Sequence, residues 1–188
     1  MPLFPAFIDL SDKEVLVVGG GRVAKRKIDK ILEFTKNVTV VAPRVVKDVR
    51  ELAKKGIIKL RKRKFLTSDL KGKALVIVAV DDLKLQERVF ELCNKKGILC
   101  NSVDSPKLCN FIFPSLIVRG DVVVGISTSG KAPALSGRLR ELIESCMPED
   151  IEETLKYLEY IRSSMEKGEE RQRKLVELAR ELVPLKER

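Results

Sequence analysis

Histidine and tryptophan are absent from the 188 residues of this sequence, and its four cysteines form no Cys-x-x-Cys pair. Structural zinc sites use closely spaced cysteines and histidines, so we expect no bound metal. The absence of histidine also removes the commonest general base. Any proton transfer must therefore use a carboxylate, a lysine, a tyrosine or water.

Long apolar runs are missing as well. None approaches the roughly 20 residues that a membrane-spanning helix requires. The first residues, Met1-Pro2-Leu3-Phe4-Pro5, do not combine a basic segment with a following apolar one, as a signal peptide does. We therefore expect a cytoplasmic protein that has no membrane partner.

Negative charge is the scarcer sign, because 37 Lys and Arg residues face 27 Asp and Glu residues and leave a net charge of +10. This excess fits a nucleic acid, an acidic small molecule, or the heavily charged surface of a thermophile. Aromatic residues make up only 5% of the chain, too few to favour a stacking platform for single-stranded nucleic acid. No recognition motif supports a nucleic-acid partner, and we do not expect one.

The most informative segment present is an apolar run at 15–18 that leads directly into three glycines and a helical pattern. Read as G-x-G-x-x-A, Gly19, Gly21 and Ala24 match the dinucleotide-binding turn. Gly19 permits the tight turn, Gly21 lets the backbone approach a pyrophosphate, and Ala24 lets the helix pack closely. A glycine-rich turn without a ligand has the same local pattern, so this motif alone does not decide between the two.

The remaining pattern alternates strands with helices. Predicted strands cover 14–18, 37–41, 57–65, 74–80 and 98–102, and predicted helices cover about 22–35, 45–55 and 83–96. This order predicts an α/β fold with a Rossmann-type parallel sheet. Apolar segments 111–118 and 121–127 then predict a β-hairpin, which is followed by helices of about 134–146, 150–166 and 169–182.

The ends of the predicted strands contain the candidate ligand-binding residues, since carboxyl ends of parallel strands face the crevice. The second strand ends without the Asp or Glu that often holds the ribose, and Arg44 there fits either a 2′-phosphate or an exposed side chain. Asp81 and Asp82 follow the fourth strand and either face the crevice or cap the next helix. Asp104 follows the fifth strand, where an Asp also commonly begins a turn.

Taken in order, several motifs over roughly residues 3–145 resemble the precorrin-2 dehydrogenase family, which includes the N-terminal module of siroheme synthases. The motifs are Leu3-Phe4-Pro5 with Phe7-Ile8-Asp9-Leu10, Val17 to Lys27, Ala79-Val80-Asp81-Asp82, Cys100 to Asp104, Phe111-Ile112-Phe113-Pro114-Ser115, and Ile126 to Leu135. Each motif is modest by itself, and their order and spacing make the resemblance specific.

The resemblance implies NAD-dependent oxidation of precorrin-2 to sirohydrochlorin. Some members also insert ferrous iron into sirohydrochlorin, and the sequence does not decide whether this chain does so. The resemblance further implies a homodimer with an NAD-binding Rossmann domain at 1–112, a dimerisation region at 113–146 and a small helical C-terminal domain at 147–188. NAD is the implied cofactor even though the end of the second strand lacks the usual acidic residue.

The same resemblance assigns roles to individual residues. It implies that Asp104 is the general base or a substrate-orienting carboxylate. The implied cofactor-binding residues are Gly19, Gly21, Arg22, Val23, Pro43, Arg44 and Asp81. The implied substrate-binding residues are Asn101, Ser127, Thr128 and Lys131. Thr128 matches a hydroxyl position in a serine-rich loop, where capping or loop hydrogen bonding is the alternative role.

A different class of function also fits the cofactor motif, namely a non-catalytic NAD-sensing regulatory module whose helical tail signals to a partner. Such a module would not require Asp104 or the polar loop at 127–133. A dependence of tetrapyrrole oxidation on Asp104 distinguishes the two.

Overall fold

A computed structural model of the chain describes residues 3–184; the outermost residues of the predicted terminal domains, 1–2 and 185–188, lie outside the described part. The chain divides into two compact units, Met1–Phe113 and Pro114–Arg188. Within residues 3–184, no helix has the length and apolar character needed to cross a membrane.

The first unit contains five strands and three α-helices. The strands are β1 Glu14–Val18, β2 Val38–Val41, β3 Lys59–Arg61, β4 Lys73–Val78 and β5 Leu99–Ser102. The helices are α1 Arg22–Leu32, α2 Lys47–Lys54 and α3 Leu83–Lys95. Short 3-10 turns at Thr67–Leu70 and Pro106–Leu108 complete this unit.

All five strands are parallel and lie in the order β3-β2-β1-β4-β5. The direction of strand order reverses between β1 and β4, because β2 and β3 extend to one side of β1 and β4 and β5 to the other. In open parallel sheets, ligands bind at the carboxyl ends of the strands beside such a reversal. The predicted Rossmann-type sheet is confirmed.

The sheet is buried on both faces, which explains why its central strands β1 and β4 are apolar after their first residues, Glu14 and Lys73. Val15 and Val17 of β1 pack on the same side as Ile28 of α1. Leu16 and Val18 pack on the opposite side, where α3 contributes Val89 and Cys93. Alternate residues of one strand therefore anchor helices on opposite faces, and the three glycines between Val18 and Arg22 start α1 at the carboxyl end of β1.

Strand β3 is much shorter than the predicted 57–65 segment and ends at Arg61. The Arg61 and Arg63 side chains turn onto the buried carboxylate of Asp69, at 2.5 Å and 2.7 Å. Asp69 also accepts a hydrogen bond from the backbone N–H of Leu66 at 2.9 Å. Arg61 and Arg63 thus pair through their side chains with Asp69 in the following 3-10 turn, and the backbone pairing of β3 does not continue beyond Arg61.

The second unit contains the predicted hairpin and three helices. Strands β6 Ser115–Arg119 and β7 Val122–Ile126 are antiparallel, and Gly120, with φ +55°, lies in the two-residue turn between them. The hairpin is followed by α4 Pro133–Cys146, α5 Ile151–Ser164 and α6 Glu169–Leu182.

Candidate active site

The glycine turn after β1 has two glycines fixed by packing and one that faces open space. Gly19 has φ +122°, and a Cβ atom there would lie 2.1 Å from the carbonyl oxygen of Ala79. A Cβ atom on Gly20 would lie 2.5 Å from a methyl group of Val45. A Cβ atom on Gly21 would meet no described atom within 4 Å. Packing of the chain therefore leaves the space beside Gly21 open.

The N-terminus of α1 begins at this open position. Gly21 is its N-cap residue and supplies no side-chain hydrogen bond, and the first turn contains no acidic residue. The N–H groups of a first helical turn have no partner within the helix, and the helix dipole favours an anion there. Arg22 and Val23 are both exposed at this end. Open space, free backbone donors and positive potential all fit the pyrophosphate of a dinucleotide.

Pro43 and Arg44 lie immediately beside the glycine turn. The backbone N–H of Val46 donates to the carbonyl oxygen of Gly20 at 2.8 Å, which ties the segment after β2 to the turn after β1. Pro43 and Arg44 are exposed on this segment. The structure therefore brings these two predicted cofactor residues close to the glycine turn.

The two aspartates after β4 have different surroundings. Asp82 is the N-cap residue of α3, and its carboxylate accepts a hydrogen bond from the backbone N–H of Leu85 at 3.1 Å. Asp81 is exposed at the carboxyl end of β4. Capping therefore accounts for Asp82, and Asp81 is free of that role.

Asp104 occupies a left-handed backbone conformation just after β5, with φ +60°. Few residues other than glycine adopt this conformation, and Asp and Asn do so most readily. Its side chain is exposed. The strands β1, β4 and β5 are neighbours in a parallel sheet. Asp104 therefore lies at the same end of the sheet, the carboxyl end of its strands, as the glycine turn and Asp81.

The loop that carries Asp104 is held by Cys109, a residue that the sequence analysis did not single out. The Cys109 thiol accepts a hydrogen bond from the backbone N–H of Ser102 at 3.2 Å and lies 3.3 Å from the carbonyl oxygens of Ser102 and Ser105. Burial raises the pKa of this thiol. Cys109 is therefore a neutral thiol that closes the turn around Asp104.

Asn101 is buried in β5, where its amide donates to the carbonyl oxygen of Phe111 at 3.0 Å. Asn110 makes a related pair of contacts, accepting from the backbone N–H of Cys100 at 2.6 Å and donating to the carbonyl oxygen of Ile98 at 3.1 Å. The Asn101 amide nitrogen thus takes part in holding the returning loop. A substrate-binding role for Asn101 stays a prediction.

Lys27 is the second residue that sequence reasoning missed. Its Nζ atom lies 4.2 Å from the centroid of the Phe113 ring. Burial lowers the pKa of Lys27, and the nearby carboxylate of Asp104 offsets part of that effect. The sequence shows Lys27 only as one of several basic residues on α1. Its proximity to Asp104 depends on the tertiary fold.

The other predicted substrate residues belong to the second unit, in the loop between β7 and α4. The Thr128 hydroxyl accepts from the backbone N–H of Ala132 at 3.1 Å, and the Ser127 hydroxyl accepts from the N–H of Ser129 at 3.0 Å. Lys131 is exposed in this loop. Of the alternative roles predicted for Thr128, the loop hydrogen bond is present in the structure.

Comparison with known families gives two matches that follow each other along the chain. Residues 6–115 match the family described as "Putative NAD(P)-binding". Residues 119–145 match the family described as "Sirohaem biosynthesis protein central". The first match covers more than half of the chain.

Individual relatives agree with these families. The siroheme synthase of Methylococcus capsulatus is 42% identical over 148 residues, which cover 79% of this chain and 31% of the relative. The siroheme synthase of Pseudoalteromonas atlantica is 39% identical over 151 residues, which cover 80% of this chain and 33% of the relative. The chain therefore spans about a third of the length of these relatives.

A solved structure matches over much more of its own length. SirC, a precorrin-2 dehydrogenase, has a TM-score of 0.75 and 28% identity, and the match covers 94% of this chain and 89% of SirC. The chain accordingly belongs to the family described as "Putative NAD(P)-binding", which its first unit matches, and it is similar to siroheme synthases in sequence and to SirC in fold.

Proposed function

We propose that this protein oxidises precorrin-2 to sirohydrochlorin with NAD as the hydride acceptor. One observation carries the proposal. Three neighbouring strands, β1, β4 and β5, place the glycine turn, Asp81 and Asp104 along the same carboxyl edge of the sheet. The resemblance to SirC, which extends over 94% of the chain, supports the choice of substrate.

The cofactor would lie across this edge, with its pyrophosphate at the N-terminus of α1. Gly19 shapes the turn, Gly21 leaves room for the phosphates, and the backbone of Arg22 and Val23 faces them. Pro43 and Arg44 are proposed to contact the adenosine ribose, and Asp81 the nicotinamide side. Direct binding titrations with NAD and NADP test the choice of cofactor; we expect tighter binding of NAD.

The reaction removes a hydride and a proton from the macrocycle. Bound NAD supplies the acceptor for the hydride, which is the difficult part of the chemistry. Asp104 is proposed to accept the proton or to orient the substrate, since it is an exposed carboxylate at the correct edge. The loop contacts of Cys109 hold the backbone on both sides of Asp104.

The substrate is a polycarboxylate, and the net charge of +10 on the chain favours its approach. Asn101, Ser127, Thr128 and Lys131 are proposed to bind it. Lys131 is exposed and supplies a positive charge. The Ser127 and Thr128 hydroxyls would bind the substrate while keeping the loop hydrogen bonds that they accept from Ser129 and Ala132.

A homodimer is proposed, with residues 113–146 as the dimerisation region and 147–188 as a small helical domain. Helix α4 supports this proposal because Leu135, Leu139 and Leu142 are exposed large apolar residues. Their spacing places them on one face of the helix. Sedimentation should show a dimer for the natural chain and a monomer for Leu139→Glu. A monomeric natural chain would rule the dimer out. A cytoplasmic location remains our prediction.

The direct test is anaerobic incubation of the protein with precorrin-2 and NAD while the absorption spectrum is recorded. We expect the sirohydrochlorin spectrum to develop at a rate proportional to protein concentration. A non-catalytic NAD sensor would bind NAD but leave precorrin-2 unchanged. That result would refute the enzymatic proposal without affecting the assignment of the cofactor site.

A further inference from the structure

Lys27 has an unusual environment for a surface lysine. It lies in the second turn of α1, is half-buried, and places its ammonium against the ring of Phe113. Across residues 3–184, no hydrogen-bond acceptor and no carboxylate at ion-pair distance satisfies this ammonium. Removing an ammonium from water is costly unless an acceptor or a counter-charge replaces the lost hydration.

The groups that act on Lys27 come from the loop after β5. They are the carboxylate of Asp104 and the thiol of Cys109, and the Phe113 ring adds a cation–π contact. Burial is the largest effect and lowers the pKa of Lys27 despite these neighbours. Cys109 contributes little negative charge, because burial raises the pKa of its thiol. The ammonium is therefore surrounded by less negative charge than its burial requires.

We propose that Lys27 binds a carboxylate of the tetrapyrrole and thereby holds the macrocycle beside Asp104. This inference rests on the proposed function, which defines the ligand as a polycarboxylate. A substrate carboxylate supplies both the acceptor and the negative charge that the ammonium lacks. Because Asp104 is near Lys27, a substrate anchored there lies within reach of the group proposed to accept the proton.

A phosphate of the cofactor is the other anion that this part of the chain could bind. The proposed phosphate position is at Gly21, and Lys27 lies six residues further along α1, roughly 9 Å at the helical rise per residue. That separation favours the substrate as the anion at Lys27. Separate titrations with cofactor and with tetrapyrrole distinguish the two sources.

The test uses the full chain and three variants. Lys27→Met removes the charge and keeps an unbranched side chain against Phe113, whereas Lys27→Arg keeps the charge. Lys30→Met is the matched control, since Lys30 is on the same helix and pairs with Glu33 at 3.0 Å. Each protein is titrated with sirohydrochlorin, the proposed product, and separately with NAD.

We expect Lys27→Met to weaken sirohydrochlorin binding by about tenfold or more, the loss typical of one charge-assisted hydrogen bond. Lys27→Arg should retain most of the affinity, and Lys30→Met should bind nearly as the natural chain does. NAD affinity should be unchanged in all three variants. Unchanged NAD binding also shows that the first unit of each variant is folded.

A pH series adds a measurement that a purely structural role would not change. Lys27 carries its charge below its pKa, which is lower than that of an ordinary lysine. Sirohydrochlorin affinity of the natural chain should therefore decline with rising pH before ordinary lysines titrate. Lys27→Arg should keep its affinity over this range, because arginine remains charged.

The inference is overturned if Lys27→Met binds sirohydrochlorin as the natural chain does, or if Lys30→Met loses as much affinity. It is also overturned if Lys27→Met loses affinity for NAD instead. Failure of the proposed function gives a different result, because the natural chain would then not convert precorrin-2 at all. Normal conversion by the natural chain with unaltered binding by Lys27→Met would refute the role of Lys27 alone.

Discussion

Gly19 and the carbonyl oxygen of Ala79 approach so closely that a Cβ atom on Gly19 would lie 2.1 Å from that oxygen. The ends of β1 and β4 are thus packed together through a position without a side chain. Gly21, two residues later, has open space instead. Substitution by alanine should therefore affect mainly stability at Gly19 and mainly ligand binding at Gly21.

Gly19→Ala should destabilise the fold by roughly 2–4 kcal/mol, because it adds a steric clash with backbone to an unfavourable φ of +122°. Gly21→Ala should change stability by less than about 0.5 kcal/mol. It should nevertheless weaken NAD binding by about tenfold or more, since its methyl group occupies the proposed phosphate space. Denaturant unfolding and NAD titration measure the two effects. Equal loss of stability in both variants would contradict this assignment.

Asp104→Asn should abolish sirohydrochlorin formation while NAD still binds. Asparagine keeps the size of the side chain and tolerates the left-handed backbone at φ +60°, so the loop should keep its shape. Asp104→Ala should give the same loss of activity, with an added cost of about 1 kcal/mol for the backbone conformation. Near-normal turnover by Asp104→Asn would eliminate Asp104 as the proton acceptor.

Cys109→Ala should lower the rate of turnover more than it lowers NAD affinity. The substitution leaves the backbone N–H of Ser102 without the acceptor that the thiol provides at 3.2 Å. We expect a loss of about 1–3 kcal/mol in stability and a less ordered Asp104 loop. Cys146→Ala is the control, because that thiol is exposed. Identical kinetics for the two variants would show that Cys109 does not position Asp104.

Asp69 should make the stability of the first unit sensitive to acid. Its hydrogen bond with Arg63 holds the pKa of Asp69 well below its usual range in the folded state. Because the folded pKa is lower than the unfolded value of about 3.9, the stabilisation is complete above that pH and is lost as pH falls further.

Asp69→Asn should remove about 2–4 kcal/mol of stability at neutral pH, because it leaves two arginines without their buried partner. The variant should also show a smaller loss of stability as the pH falls below about 4. Denaturant unfolding at several pH values measures both. An unchanged pH dependence would mean that other carboxylates control acid unfolding.

The parts of the fold that were predictable are those governed by local pattern. The apolar run in β4 requires cover on both faces, and the glycine turn marks the start of α1, so the parallel sheet follows from the sequence. The early end of β3 was not predictable, because it depends on Arg61 and Arg63 meeting Asp69. That pairing replaces strand hydrogen bonds that the alternating pattern favoured.

The candidate site divides in the same way. The roles of Gly19 and Gly21 were predicted from their local spacing. Asp104 was identified through its family motif. Its left-handed backbone and the supporting thiol of Cys109 had no recognisable sequence signal. The role proposed for Lys27 could not be predicted from the sequence, because its contact with Phe113 joins residues that are far apart in the chain.

We propose that hydride transfer from precorrin-2 to NAD takes place at the carboxyl end of the β1, β4 and β5 strands. The most direct measurement follows NADH and sirohydrochlorin together in one anaerobic reaction of the natural chain. We expect the two products to form in equal amounts, and neither to form when NAD is omitted. Sirohydrochlorin without matching NADH, or no conversion despite bound NAD, would contradict it.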